Sequence, residues 1–335
     1  MTARCRTLEE AAWRRVLVLA PHPDDETLAT GGLLQRVVAS GGSLRVVFAT
    51  DGENNPWPQR VLERRWRIDA AGRARWAARR RAETLAALAC LGVRPADTRF
   101  LHLPDQGLTR LLLAGNQEVV ARLAHELMWG PTLVVAPAGC DRHPDHSALA
   151  ALLRLTVDRL PHARRRFDQL AYVVHGDVGS LAFALRLGLR ERAGKRAAMA
   201  CHGTQLVLSR RRFLSHLRAA ERFIDPATAS PAHRVRTAIY GRGSISLFLE
   251  APRGLAVASP ATLDVLALDR VGTVDRYSCR VAPWRRRVAL AVGRTPARLL
   301  VKCETPHLFF DDAGWREIAL PSEAEAPARA VVGIA

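Results

Sequence analysis

The segment Val16–Glu26 (VLVLAPHPDDE) constrains the fold more than any other part of the chain. Its first half, Val16–Ala20, is a short apolar run of the kind that is typical of a strand buried on both faces of a parallel sheet. Helical spacing of apolar residues follows over Thr27–Ser40. Between the two lie four polar side chains: His22, Asp24, Asp25 and Glu26. The polar cluster is therefore predicted to occupy a strand-to-helix turn, where open α/β sheets bind their ligands.

A second polar cluster follows a second apolar run. Leu133–Ala136 reads as a buried strand, and the motif His143-Pro144-Asp145-His146 comes shortly after it. Since the carboxyl ends of parallel strands share one edge of a sheet, the two clusters are expected to converge.

Alternation of strand and helix patterns predicts an α/β fold, a Rossmann-like parallel sheet in three layers with helices on both faces. A dinucleotide site is disfavoured because the first strand–helix turn lacks the G-x-G-x-x-G pattern. We expect a loop over 51–58, a long helical region over 61–91 with a break near Gly72, and a helix over 213–223. Further strands are predicted at 43–50, 98–103 and 170–175, and further helices at 117–129, 147–160 and 192–202.

The sequence pattern of the chain changes near residues 226–231. Beyond them the segments are short, β-prone and separated by Gly and Pro, as in 244–249, 287–292 and 299–302. We predict a catalytic domain over 1–230 and a β-rich C-terminal region over 231–335, whose role the pattern does not indicate.

Composition limits the class of protein. No apolar stretch approaches the roughly 20 residues needed to span a bilayer. The first 15 residues carry acidic groups and lack the apolar core of a secretory signal, so a cytoplasmic protein is expected. The formal net charge is +18, yet Lys195 and Lys302 are the only lysines. The arginines are dispersed, apart from clusters at 60–81, 164–166, 210–212 and 285–287. This pattern argues against nucleic-acid binding and leaves attraction to an anionic sugar conjugate or membrane surface.

The two clusters together offer a metal site. His22 and Asp25 from the first cluster and His146 from the second form a set of two imidazoles and one carboxylate, a familiar ligand set for catalytic zinc. Iron or manganese would accept the same ligands. In such a site the metal activates a water molecule and polarises a carbonyl group.

The remaining polar residues fit acid–base roles. Asp24 can take the proton of the water, and His143 can donate to the leaving amine or to the oxyanion. Asp145 would orient an imidazole. Each cluster alone could equally be a solvated turn or a helix N-cap, because Asp and Glu favour the first turn of a helix. Both clusters at strand ends favour a catalytic site.

The chain resembles the PIG-L/LmbE-type family of zinc-dependent N-acetylglucosamine deacetylases. The resemblance covers roughly residues 14–224 and rests on the following motifs: Ala20-Pro21-His22-Pro23-Asp24-Asp25-Glu26, Thr50-Asp51-Gly52, Arg80 with Glu83, Leu103-Pro104-Asp105 and His143-Pro144-Asp145-His146. A weaker match to the family consists of Lys195-Arg196-Ala197 with His202 and Gln205.

The resemblance implies zinc on His22, Asp25 and His146, with Asp24 as base and His143 as acid or oxyanion partner. It also implies that Arg80 and Asp105 contact substrate, although Arg80 with Glu83 could equally be a surface pair and Asp105 a turn residue. Some members carry Tyr two residues before the His143 position, where this chain has Asp141.

The expected function is a metal-dependent hydrolase of a linear amide C–N bond, which removes the acetyl group from an N-acetylated amino sugar. Two alternatives stay open: an amidase acting on another N-acyl small molecule or glycoside, and a metal-stabilised binding protein without catalysis.

Overall fold

The structure is a computed structural model that describes residues 13–161, 167–176, 183–226, 233–241, 243–250, 259–305 and 310–320. The chain divides into two compact units, Met1–Ala229 and Ser230–Ala335. The predicted boundary at 230/231 falls within residues 227–232, outside the described residues. Among the described residues, no helix is long and apolar enough to cross a membrane.

The first unit is built on a seven-stranded sheet with the order β3-β2-β1-β4-β5-β7-β6. Its strands are β1 Arg15–Ala20, β2 Ser43–Thr50, β3 Thr98–Leu103, β4 Leu133–Pro137, β5 Asp168–Tyr172, β6 Phe183–Arg186 and β7 Ala220–Ile224. The first five run parallel, whereas β7 is antiparallel to both β5 and β6. The sheet is therefore mixed, with a parallel centre as predicted.

Helices cover both faces of this sheet. They are α1 Asp25–Ala39, α2 Pro56–Glu63, α3 Ala70–Cys90, α4 Leu108–Ala114, α5 Gln117–Leu127, α6 Pro144–Arg159, α7 Leu189–Cys201 and α8 Gly203–Leu214, with a short 3₁₀ helix at Pro95–Asp97. Strand β1 lies at the centre, and Val16 and Val18 are fully buried in the core between β2 and β4. This burial on both faces explains why the strand is continuously apolar.

The predicted loop over 51–58 and the predicted helix break near Gly72 are both wrong in detail. The expected loop over 51–58 ends early, because α2 begins at Pro56. Proline is tolerated in the first turn of a helix, where its missing N–H would have had no partner. The break in the following helical region lies between Glu63 and Ala70 rather than at Gly72, which sits in the first turn of α3 and donates its N–H to Asp69.

The predicted helix over 213–223 is also wrong, since Ala220–Ile224 forms strand β7. Glu221 and Phe223 are buried on one side while Arg222 between them is exposed, which is the alternation of a strand. The buried Glu221 accepts the N–H groups of Gly32 and Leu33. This tertiary requirement overrides the local helical pattern.

The second unit contains two antiparallel sheets, as its β-prone segments predict. Their orders are β11-β10-β13-β14 and β12-β9-β8. The strands are β8 Val235–Gly241, β9 Ser244–Leu249, β10 Ala261–Leu268, β11 Val274–Val281, β12 Arg287–Ala291, β13 Arg298–Glu304 and β14 Arg316–Ala319. Both sheets contribute to one apolar core, in which Ile245, Leu263 and Val301 are fully buried.

Candidate metal centre

The predicted polar clusters meet at the carboxyl edge of the parallel strands. The first cluster follows β1 and opens α1, whereas the second follows β4 and opens α6. Asp105 arrives from the end of β3 and His175 from the end of β5. The functional side chains are thus delivered by several neighbouring strands, as expected for an open α/β sheet.

The Asp25 carboxylate lies between the two imidazoles predicted to bind metal. Asp25 Oδ2 is 3.2 Å from His22 Nδ1 and 3.1 Å from His146 Nε2. All three side chains are buried, and His146 Nε2 makes no hydrogen bond within the described residues. Ligand atoms about 2.0–2.1 Å from a tetrahedral zinc lie about 3.3 Å from one another. These separations and this donor set therefore fit a divalent metal.

Further groups surround the same point. Nitrogen atoms of His22, His143 and His146 all lie within 4.8 Å of one another. A second such group combines Asp25 and His146 with His175. The site thus holds more ligand-capable side chains than one tetrahedral ion requires, so that the side chains beyond the ligands are available to position or react.

Two carboxylates face the other ring nitrogen of His22. Asp105 Oδ1 lies 3.2 Å and Asp145 Oδ2 3.3 Å from His22 Nε2. Burial would lower the pKa of His22, but its hydrogen bonds to Asp105, Asp145 and Asp25 raise that pKa well above its usual value. Asp145 is held by the backbone N–H groups of Gln106 and Leu108. It therefore contacts an imidazole, as its predicted orienting role requires.

Asp141 contacts the second of the two imidazoles predicted to bind metal. Its fully buried carboxylate lies 3.1 Å from His146 Nδ1 and also accepts the backbone N–H of Val174 at 2.7 Å. Burial would lower the pKa of His146, but Asp141 and Asp25 raise it to about 10. A carboxylate on one ring nitrogen directs the other nitrogen toward the metal position.

Sequence reasoning missed the role of Asp141 and missed His175 altogether. Asp141 was singled out only as a departure at the position where some relatives carry Tyr. His175 follows the end of β5, and burial lowers its pKa to about 4. Its position after a parallel strand was the available signal, the same signal that identified the two clusters.

Asp24 occupies an unusual backbone conformation. Its φ angle is 142°, a region that residues with a Cβ rarely adopt. Asp24 is the N-cap residue of α1, but its side chain makes no capping hydrogen bond, so the carboxylate does not serve as a helix cap. Burial raises the pKa of Asp24 to about 7, although the nearby Arg80 guanidinium opposes the rise.

Arg80 lies beneath Asp24 and is buried. One guanidinium nitrogen, Nη2, is 3.3 Å from Asp24 Oδ2 and donates to the Pro23 carbonyl at 2.7 Å, and Nη1 donates to the Gly52 carbonyl at 3.0 Å. A Cβ at Gly52, where φ is +64°, would fall 1.8 Å from Nη1, so this approach requires glycine. Arg80 is therefore no surface partner of Glu83, which instead contacts Arg79 and Thr204.

The His143 side chain accepts a hydrogen bond from the start of α6 and also lies next to His22. As the residue before α6, it accepts the Asp145 N–H on Nδ1 at 3.2 Å. Its ring stands edge-on to that of His22 at 4.7 Å between centroids. Burial together with the charges of His22 and His146 lowers the pKa of His143 well below its usual value. A neutral imidazole that accepts on Nδ1 carries its proton on Nε2 and can donate there.

A second layer of buried groups lies behind the first turn. Glu26 accepts the Asp24 backbone N–H at 3.0 Å, and burial raises the pKa of Glu26 to about 8. His202, which belongs to the weaker family match, lies 3.3 Å from the Thr27 hydroxyl. Lys195, which belongs to the same match, is buried and forms an ion pair with Glu221, with 2.6 Å between Nζ and Oε1. These residues anchor α1 against α7 and β7.

The sequence around this site is similar to that of known proteins. Residues 17–157 match the family profile PIG-L, described as GlcNAc-PI de-N-acetylase. Over residues 17–157, less than half of its length, the chain is therefore similar to that family. The match contains both predicted clusters and confirms the resemblance read from their motifs.

Curated proteins similar to this chain include 1D-myo-inositol 2-acetamido-2-deoxy-alpha-D-glucopyranoside deacetylases. The protein of Rhodococcus jostii (strain RHA1) is 31% identical over 151 residues, which cover 40% of this chain and 49% of that protein. The protein of Mycobacterium avium (strain 104) is 34% identical over 146 residues, 39% of this chain and 47% of that protein. The chain thus spans about half the length of these relatives.

Solved structures with a similar fold include the A40926 pseudoaglycone deacetylase Dbv21. It has a TM-score of 0.48 and 21% identity, covering 65% of this chain and 99% of that one. The N,N'-diacetylchitobiose deacetylase from Pyrococcus horikoshii has a TM-score of 0.45 and 20% identity, covering 63% and 82% of the two chains. The similarity to the PIG-L family rests on the sequence matches.

Proposed function

We propose that this protein is a zinc-dependent hydrolase that removes the acetyl group from an N-acetylglucosamine-type sugar conjugate. The observation that carries the proposal is the Asp25 carboxylate within 3.2 Å of both His22 and His146, with Asp24 beside it, within the residues that match the PIG-L family. The sequence relatives that the chain matches are named as deacetylases of an acetamido sugar.

In this proposal His22, Asp25 and His146 hold the metal. When bound, a divalent zinc ion supplies Lewis acidity to the acetamide carbonyl and to water. Asp141 keeps the His146 ring in its orientation, and the Asp105 and Asp145 carboxylates do the same for His22. Iron or manganese would suit the same donors, and the metal content of purified protein distinguishes among them.

Asp24 acts as the general base. Its carboxylate is adjacent to the ligand Asp25 but contacts Arg80 instead of the imidazoles, so it is free of the ligand set. A carboxylate whose pKa lies near neutrality can both accept a proton from water and release it later. Arg80 acts as a positioning residue because its donors are directed to Asp24 and to backbone carbonyls.

His143 stabilises the developing oxyanion. Its neutral ring, with Nδ1 occupied by the Asp145 N–H, presents an Nε2 donor. The same donor can serve the leaving amine of the sugar. In this proposal Asp105, whose carboxylate contacts His22 and accepts the Asn54 N–H, also contacts the substrate.

The proposal is tested by measuring acetate release and metal content on the same preparation. We expect zinc at about one ion per chain and acetate release from N-acetylglucosamine conjugates that stops on chelation and returns with added zinc. Release from unrelated N-acyl compounds but from no amino-sugar conjugate would replace the proposal with a different amidase. Full zinc occupancy without hydrolysis of any N-acyl compound would point to a binding protein.

A further inference from the structure

Two cysteine thiols meet at the ends of helices α3 and α7. Cys90 is the last residue of α3 and Cys201 is the last residue of α7, so the two are far apart in the sequence. Their sulfur atoms lie 3.9 Å apart, and both thiols are free. The sulfur atoms of a disulfide are about 2.0 Å apart, so a closing movement of roughly 2 Å would bond this pair. Neither thiol takes part in the proposed deacetylation.

Neighbouring contacts hold the ends of the two helices together. Glu83 lies on α3, about two turns before Cys90 and on the same helix face. Both oxygens of its carboxylate accept the Thr204 N–H, each at 3.1 Å. Thr204 comes three residues after Cys201, and Ala87, between Glu83 and Cys90, is fully buried. The two thiols are therefore held beside each other by contacts that do not involve sulfur.

The two thiols differ in how easily a reagent reaches them. The Cys90 side chain is exposed, whereas Cys201 is half-buried and packs against the apolar core of the first unit. Burial, together with the Cys90 thiol and the Glu83 charge, raises the pKa of Cys201. The thiolate is the form that attacks an oxidant, so Cys90 is placed to react first. Cys201 then lies within reach of the product.

We propose that Cys90 and Cys201 form a reversible disulfide and that a small peroxide is the oxidant. With hydrogen peroxide, the Cys90 thiolate attacks one oxygen and the O–O bond breaks. Cys90 becomes a sulfenic acid, and the released hydroxide leaves as water with the proton of the thiol. The Cys201 thiol then attacks the sulfenic sulfur, the S–O bond breaks and a second water leaves. The two thiols thus lose two electrons, which reduce one peroxide to two waters.

This bond would join two helices that both reach the first polar cluster. Helix α3 carries Arg80, whose guanidinium is 3.3 Å from the Asp24 carboxylate. His202 directly follows Cys201 and lies 3.3 Å from the Thr27 hydroxyl on α1. A cross-link between residues far apart in the sequence restricts the unfolded chain and so stabilises the folded state. The oxidised first unit should therefore resist unfolding better than the reduced one.

The test compares metal-loaded protein before and after treatment with hydrogen peroxide. The product should have lost two hydrogen atoms by mass, and a digest without reductant should yield one linked pair of peptides that contain Cys90 and Cys201. Dithiothreitol should restore both thiols. The midpoint of thermal unfolding of the first unit should be roughly 5–10 °C higher after oxidation. Hydrogen exchange should slow at the carboxyl ends of α3 and α7.

Single substitutions separate the roles of the two thiols. Cys201→Ser should stop at the Cys90 sulfenic acid, which dimedone traps, whereas Cys90→Ser should react with peroxide at Cys201 about tenfold more slowly. Neither variant should gain the thermal shift. Cys279→Ser is the matched control, because it removes a half-buried thiol from strand β11 of the second unit. It should keep the full shift.

Several results would overturn the proposal. An equal thermal shift in Cys90→Ser and wild type would place the bond elsewhere. A wild-type product with a sulfinic acid at Cys90, or with two chains linked through it, would mean that Cys201 does not capture the sulfenic acid. Retention of both thiols in excess peroxide would exclude the reaction. None of these measurements depends on deacetylation, so a failure here leaves the proposed function unaffected.

Discussion

The two units of this protein bury polar groups in different ways. In the first unit, buried carboxylates and imidazoles from four strand ends converge on one point, and several face one another within 3.3 Å. In the second unit, some buried polar side chains are matched by residues close to them in the sequence. Glu304, for example, accepts the backbone N–H groups of Ala313 and Gly314 at 3.1 and 2.9 Å, and Lys302 pairs with Asp311.

This difference separates a reactive site from a structural network. A carboxylate that accepts backbone N–H groups from a neighbouring turn stabilises that turn. Crowded carboxylates and imidazoles instead need a partner from outside, because unpaired buried groups are costly. In the first unit a metal ion would satisfy the Asp25 oxygen and the imidazoles together.

The largest effect that tests this comparison is the loss of the Asp24 carboxylate. Asp24→Asn keeps the size of the side chain but cannot take a proton, so we expect kcat to fall roughly 10²–10⁴-fold, the usual range for a positioned acid or base. Zinc content should stay near normal because Asp25 is the proposed ligand. Rate and zinc stoichiometry are to be measured on the same preparation.

Two variants control this prediction. Asp25→Ala should lose zinc and regain part of its activity at high zinc concentration. Asp264→Asn changes a carboxylate buried in β10 of the second unit, beside β11 and β13, and should leave kcat unchanged. Loss of zinc in Asp24→Asn together with its retention in Asp25→Ala would exchange the two roles. Unchanged turnover in Asp24→Asn would exclude it as the base.

A smaller effect is expected from Asp141, which holds His146 without being a proposed ligand. Asp141→Asn should weaken zinc binding about 10–100-fold, because the carboxylate that orients the ligand imidazole is lost. Competition with a chelator of known affinity gives the zinc Kd. Asp311→Asn, which breaks the ion pair with Lys302 in the second unit, should lower the stability of that unit and leave the zinc Kd unchanged. Equal zinc affinity in Asp141→Asn and wild type would assign Asp141 a purely structural role.

The sequence was sufficient to locate the two polar turns because their signal is local. An apolar run, a polar cluster and a helical pattern succeed one another within about 25 residues at each turn. The α/β fold of the first unit and the β-rich nature of the second were predicted from the same kind of periodicity, and both are confirmed. The predicted ligands, base and oxyanion partner stay predictions, although the structure brings them together.

Other features of the structure could not be predicted, because they depend on contacts between residues that are distant in the sequence. From sequence, Arg80 is either a substrate contact or a surface partner of Glu83. The structure shows it buried, with its guanidinium 3.3 Å from Asp24. The strand at 220–224 exists because Glu221 binds the backbone of α1 and pairs with Lys195. The positive φ of Asp24 leaves no mark on the sequence at all.

The smallest effect in this comparison concerns pH and the second unit. His233 is buried there, its Nδ1 accepts the Val235 N–H at 3.0 Å, and burial lowers its pKa to about 4. Since the unfolded chain binds this proton near pH 6.5, the neutral ring stabilises the unit above pH 6.5. That stabilisation is lost as pH falls from 6.5 toward 4. We expect a loss of about 1–2 kcal/mol between pH 7 and pH 5.

His233→Asn isolates this contribution, because the Asn oxygen can still accept the Val235 N–H but does not titrate in this range. Denaturant titrations of both proteins at pH 7 and pH 5, followed by hydrogen exchange of the peptide covering β8, give the stability of the second unit. The difference between variant and wild type cancels the titration of all other groups. It should shift in favour of the variant by about 1–2 kcal/mol at pH 5, with deacetylation kinetics at pH 7 unchanged. A difference that is the same at both pH values would mean that the folded unit accepts a charged His233. In that case the second unit, like the first, would hold a histidine whose protonation the fold does not oppose.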